Sequence, residues 1–262
     1  MSRSRIALGA ALVLLASCGD GGGASVTATA PITSGAVTST RAPTSTVSPT
    51  TATVPTTTTL PTSTSTLAET YSQAALDYFV EVAFGAEFGG GSREIRRWNQ
   101  DVRIVVHGDP NDEDLATLHA VIADLNEIIG TIQVSIVEQD GNVDLHFAPR
   151  DQFDAIEPNY VSGNMGFFWV WWDRSGNITT TRVLVSTTGL TQEERNHIIR
   201  EEITQQMGLM SDSYTYEDSI FQQAWTTTQE YSALDELVIE MLYLPAIEAG
   251  MGVAEVLAVL AP

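Results

Sequence analysis

Lysine is absent from this chain of 262 residues, and cysteine occurs once, at Cys18. A single cysteine rules out any disulfide within the chain, so stability must come from a packed core or a metal. Every basic side chain is therefore one of 12 arginines, against 33 Asp and Glu, for a formal net charge of −21. Such a surface repels nucleic acid and anionic headgroups, because binding them relies on Lys and Arg neutralising phosphates. Nucleic acid is excluded as a partner, while cations and cationic peptides are tolerated. A bilayer-spanning helix needs roughly 20 apolar residues, and the N-terminal apolar run covers only 6–16. The chain also has no glycine-rich phosphate loop and no Gly-x-Ser-x-Gly elbow, so two common enzyme signatures are missing.

What is present begins at the N-terminus. Arg3 and Arg5 precede the apolar run, which ends in Leu15-Ala16-Ser17-Cys18. A basic start and a short apolar stretch describe an export signal. The tetrad resembles the bacterial lipobox, in which two small residues give a peptidase access to an acylated cysteine. The expectation is a signal peptide over 1–17 and lipidation at Cys18. The protein is then extracytoplasmic, held on a bacterial cell membrane by its N-terminal lipid.

Residues 18–66 read as that lipidated start followed by a linker. From 25 to 66 there are 17 Thr, 7 Ser and 5 Pro, with Arg41 the only charge. So little apolar surface cannot offset the entropy of folding, and disorder is expected. Pro43, Pro49, Pro55 and Pro61 fall six residues apart, each followed by Thr. With three residues per turn, polyproline II places them on one face, favouring a semi-extended stalk. The hydroxyl density suits O-glycosylation or plain low complexity, and composition does not choose between them.

The remainder, 67–262, is long enough for one domain. Only Asp20, Arg3, Arg5 and Arg41 precede it, leaving 32 Asp and Glu against nine arginines, a net −23. Hydrophobic spacing predicts helices near 69–84, ended by Gly85 and Gly89-Gly90-Gly91, and along Leu115, Leu118, Ile122, Leu125 and Ile129, ended by Gly130. Strands are predicted at 102–107, at 132–137 and 143–147 as a hairpin turning through Asp140-Gly141-Asn142, at 166–172, and at 178–185. Further helices fall at 191–207, 234–243 and 253–260. This order predicts an α+β fold, with helices packed on a mixed sheet. The aromatic run Phe167, Phe168, Trp169, Trp171 and Trp172 reads as a strand buried on both faces rather than a sugar-binding platform. The acids Asp109, Asp112, Glu113 and Asp114 lack calcium-loop spacing and suit a helix N-terminus.

The segment with most chemistry is the helix opened by Thr191 and Glu194, a capping box. A left-handed cap is expected at Gly208. Ile199, Ile203, Met207 and Met210 sit at core spacing. Glu201 and Gln205, four apart, project from one side. Glu202 lines up with Ile198 and Leu209, closer to the apolar stripe than a solvating carboxylate should be, so it needs a partner. His197 reads as a surface or capping group. His107, His119 and His146 are scattered on a strand, a helix and a strand without ligand spacing.

Here the chain resembles a family. Glu201-Glu202-x-Thr204-Gln205-x-x-Gly208-Leu209, Ser211-Asp212-Ser213, Ser219-Ile220-Phe221, Leu234-Asp235, Leu242-Tyr243-Leu244-Pro245 and Gly250-Met251 match the bacterial domain of unknown function 2927. That family is itself similar to the zincins, and among them the metzincins, in which His-Glu-x-x-His-x-x-Gly-x-x-His supplies three zinc ligands and a general base. The resemblance implies a zincin-like domain over 67–262. It puts Glu201 and Gln205 at the first two ligand positions, Glu202 at the base, Ser211 or Asp212 at the third ligand, and Phe221 near the methionine turn. It also implies that 166–172 is an edge strand along a substrate cleft.

No ligand position holds His. Zinc prefers His nitrogen and Cys sulfur, whereas Glu201, Gln205 and Asp212 form an all-oxygen set suited to a harder divalent ion. The expectation is no resident cofactor, with a divalent metal as the alternative. Three functions stay open: a non-catalytic zincin-like binding or accessory module for a peptide or envelope component, an atypical metallopeptidase with Glu202 as general base, and a purely structural lipoprotein.

Overall fold

In strand β2 (Val102–Gly108), Val102 and Ile104 are buried while Arg103 is exposed, the two-residue period of a sheet with unlike faces. The computed structural model describes residues 7–10, 71–85 and 94–261. The signal-peptide cleavage site, Cys18, the Thr/Ser/Pro linker and the Gly89-Gly90-Gly91 loop lie outside the described residues. The elements run β1 (Ala7–Ala10), α1 (Gln73–Phe84), β2, α2 (Asp112–Ile128), β3 (Val134–Ile136), β4 (Val143–Ala148), a 3₁₀ turn (Arg150–Gln152), α3 (Phe153–Ile156), β5 (Gly166–Trp172), β6 (Ile178–Ser186), α4 (Gln192–Gln205), α5 (Ala233–Tyr243) and α6 (Val253–Leu260). The fold is α+β, as the sequence predicts.

The sheet order is β1-β5-β6-β4-β2-β3. Strands β3, β2, β4 and β6 are parallel, β5 runs against β6, and β1 pairs antiparallel with β5. The expected β3–β4 hairpin is not formed. Both strands pair with β2, one on each side, and the chain between them crosses over β2. A Cβ at Gly141 would lie 2.6 Å from the Arg103 carbonyl oxygen and from Val105 Cγ2, so the crossing requires glycine. Asn142 then fixes the register. Its backbone N–H donates to the Arg103 carbonyl (2.9 Å), its Nδ2 donates to the Asp101 carbonyl (2.8 Å), and its Oδ1 accepts from the Arg103 N–H (2.7 Å).

Two further expectations are corrected. Strand β5 is not an edge strand in the described structure, because Ala7–Ala10 takes its outer side. Its burial on both faces holds only over Gly166–Phe168, since Trp169, Trp171 and Trp172 are half-buried. Phe168 and Val170 point to the main core, while Phe167 points to the opposite face. The guanidinium of Arg96 lies 5.1 Å from the Trp172 ring and that of Arg182 lies 5.8 Å from Trp171, which explains how these rings rest among polar groups.

The main core lies between one face of the sheet and the helices. On the other face Ala148, Phe153, Phe167 and Leu184 form a small separate cluster, backed by Ile156, Tyr160 and Trp169. Helix α1 begins at Gln73 with Ser72 as its cap, four residues later than the periodicity suggests. Among the described residues no helix is long and apolar enough to cross a membrane.

Candidate functional site

Helix α4 starts as its sequence dictates, with the Thr191–Glu194 capping box formed in both directions. From Asn196 to Gln205 every residue is buried, yet only Ile198, Ile199 and Ile203 are apolar. A helix with so narrow an apolar stripe ordinarily shows a polar face to water. Here each side meets protein. Burying polar groups without partners is costly, and α4 meets that demand with specific bonds.

On the side facing α2, Arg195 Nε donates to Asp114 at 2.7 Å, Asn196 Nδ2 to Glu113 at 3.1 Å, and Arg200 to Asp124 at 2.7 Å. Asp114 is itself buried and closes the capping box of α2 with Asn111. Facing the segment 225–231, His197 Nδ1 donates to the Thr228 carbonyl at 2.6 Å, and Thr204 pairs with the Tyr231 hydroxyl at 2.6 Å. Arg200 lies 4.5 Å from the Tyr231 ring. Burial lowers the pKa of His197, the Thr228 bond opposing this, and raises that of Tyr231.

The row 197, 201, 205 follows the i, i+4 spacing of one helix side. His197, Glu201, Glu202 and Gln205 are each between 1 and 3 % exposed. The expectation of a surface His197 is thus overturned by the segment 225–231 lying over it. With Nδ1–H given to a carbonyl, His197 turns Nε2 to Glu201 Oε2 at 3.5 Å, a contact that is attractive only with a proton between the two atoms. The Gln205 side-chain N–H donates to Asp212. The structure therefore brings together Gln205 with Asp212 and Glu201 with His197. Glu202 lies beside the first residue of β5, where a Cβ at Gly166 would collide with its carboxylate. Ser211 is buried under Gly85 instead.

These residues do not fit zinc. The amide nitrogen of Gln205, not its oxygen, faces Asp212, and Glu201 is turned to a histidine. Among the described residues no group of three or more His, Cys, Asp or Glu side chains is placed to hold a metal ion.

Gly208, with φ +122°, ends this segment against the Arg96 backbone, as the expected cap requires. The remaining motifs are structural joints that sequence reasoning left without a role. Asp235, fully buried, accepts from Ser219 Oγ (2.6 Å) and from the backbone N–H of Ile220 (3.1 Å) and Ser232 (2.9 Å). Burial raises its pKa, against the pull of these bonds. Tyr78 completes the chain through Ser219. Arg97 donates to the carbonyls of Leu242, Leu244 and Ile247, closing the C-terminus of α5. The Ser232-x-x-Asp235 spacing is the signal that could have marked this joint, and nothing local signals the burial of Asp235.

Two histidines with no ligand spacing also meet. Parallel pairing sets His107 beside His146, and the rings stack at 4.5 Å with an interplanar angle of 17°.

Among solved structures, "Structure of Myroilysin" matches with a TM-score of 0.37 and 10% identity, over 57% of this chain and 82% of that chain. No curated protein matches the sequence. The family described as "Protein of unknown function (DUF2927)" matches residues 72–262, and the chain belongs to it.

Proposed function

We propose that this chain is a lipid-anchored envelope protein whose domain, zincin-like in descent, binds a partner without cleaving it. The observation that carries the reading is the pairing of Gln205 with Asp212 and of His197 with Glu201. Two of the positions implied as ligands, Gln205 and Asp212, are turned to one another and the third, Glu201, is turned to His197, so a metal would have to break the buried Gln205–Asp212 hydrogen bond to enter. Glu202, placed as a general base by resemblance, then has no bound water to polarise and serves the packing of α4 on β5.

An extended peptide suits such a domain. Export with cleavage before Cys18 removes the β1 segment with the rest of 1–17, which leaves the outer side of β5 open to another strand. Anchoring through Cys18 keeps the domain at the membrane surface. Cys18→Ser should release the protein from the membrane fraction or leave it unprocessed. Unchanged fractionation at the mature size would refute the anchor.

Elemental analysis of the purified domain, with a peptidase assay of wild type and Glu202→Ala, tests the central reading. We expect no stoichiometric zinc, and a loss of stability of about 1–3 kcal/mol in the variant from disturbed buried polar contacts. About one zinc per chain, with chelator-sensitive hydrolysis lost in Glu202→Ala, would establish the atypical metallopeptidase instead.

A further inference from the structure

The face of the sheet away from α4 carries a device separate from the site above. Its rows follow from register: Val105, Asp144, Arg182 and Trp169 align across four strands, and His107, His146, Leu184 and Phe167 align in the next. Segment 149–164 covers part of this face. Phe153 is buried on Phe167, Leu184 and Ala148, and Tyr160 stands edge-on to both Phe153 and Phe167. This cluster is separate from the main core, so the segment can lift without opening the domain.

One ion pair latches it. Arg182 donates to Glu157 Oε2 and to the Ile156 carbonyl, each at 2.9 Å. Glu157 is buried, and its other oxygen accepts from Asn159. His146 sits beside this latch, between Leu184 of the cluster floor and the stacked His107.

We propose that segment 149–164 is an acid-released flap, opened when His146 takes a proton and exposing Phe153, Tyr160 and Phe167.

Each group facing His146 bears on the charge it can carry. His107 of β2, stacked parallel to it, disfavours a charge on its ring. Arg182 of β6 repels it as well. Asp144 of β4 attracts it but is engaged with His107 Nε2 at 2.8 Å. From the flap, Glu157 is already bound to Arg182. His107 and Asp144 are 39 and 43 % exposed, so water screens their pair, whereas His146 lies further in. Burial first, and then His107, push its pKa down to about 4. A histidine depressed in the closed state stabilises closure above its ordinary pKa of about 6.5. That contribution is lost as pH falls toward 4. Leu184 and Arg182, the neighbours of His146 on β6, are the residues that the flap packs on and binds. Lifting it opens that side of the ring to water, so opening and protonation favour each other.

Hydrogen exchange of the full domain tests this. Uptake in 150–164 is compared with uptake in 102–108 and 178–186, at pH 7 and pH 4.5, after correction for intrinsic rates. With a pKa of about 4 when closed and the ordinary value of about 6.5 when open, proton linkage over this range predicts at most roughly sixtyfold more opening of the flap relative to the strands at the lower pH. His146→Gln should abolish that acid response. Flap and strands changing together, an unchanged flap, or a variant that keeps the acid response would each overturn the proposal. If His146→Gln does not fold, NMR titration of the wild-type imidazole replaces it. His146 must then titrate over the range in which the flap opens, and titration elsewhere would overturn the proposal.

Discussion

Asp235 shows how much structure one side chain can hold. Its two oxygens take three hydrogen bonds, one from a hydroxyl and two from backbone amides, and they tie the turn at Ser219-Ile220-Phe221 to the first turn of α5. An Asn amide has only one oxygen, so Asp235→Asn must set an N–H2 against at least one existing donor. Both backbone amides bond Oδ2 and Ser219 bonds Oδ1, so the Asn oxygen keeps the amides only by setting its N–H2 against Ser219 Oγ. That oxygen already accepts from the Phe221 N–H and would then have to turn its proton to Tyr78, leaving the Tyr78 hydroxyl without its acceptor. The expected cost is about 1–3 kcal/mol, as for a buried donor left without its acceptor. Urea unfolding measures it through a shifted midpoint at constant slope. A change within about 0.3 kcal/mol would show that this joint is not a stability determinant. Gly166 is the same lesson in reverse: its lack of a side chain makes room for the carboxylate of Glu202.

Among elements, strand and helix positions were legible because periodicity and capping are local. The capping box at Thr191, the left-handed Gly208 and the bounds of β5 all follow from short-range signals. Pairing was not legible. Asp140-Gly141-Asn142 looks like a hairpin turn, and Asp140 does adopt a positive φ of 57°. Yet the same residues carry the chain across β2, because Asn142 spends its side chain on the neighbouring strand rather than on its own turn. That one difference brings His107 to His146, residues that spacing alone keeps apart. For the candidate site, the row of Glu201 and Gln205 on one helix side was readable from their separation. The burial of His197 was not, since it depends on the segment 225–231, which has no regular structure to announce where it lies.

At the scale of the whole molecule, a buried helix with few apolar residues has a consequence for the order in which the chain folds. Collapse is driven by apolar area, which α1, α2, α5 and the sheet supply in quantity. Helix α4 offers Ile198, Ile199 and Ile203, while the partners of its polar groups come from α2 and from residues 212 and 228–231, which must already be in position. Its bonds are directional and gain little until those partners are fixed. Helix α4 should thus dock late, after the folding transition state. Ile198→Val and Ile203→Val would then speed unfolding with little effect on folding, giving φ-values near zero, whereas Leu118→Ala in α2 would slow folding. High φ-values at both isoleucines would instead make α4 part of the folding nucleus. Late docking would leave the refolding chain with its most polar helix unplaced, so the last step toward the native state would be the exclusion of water from hydrogen-bonding groups rather than from oil-like ones.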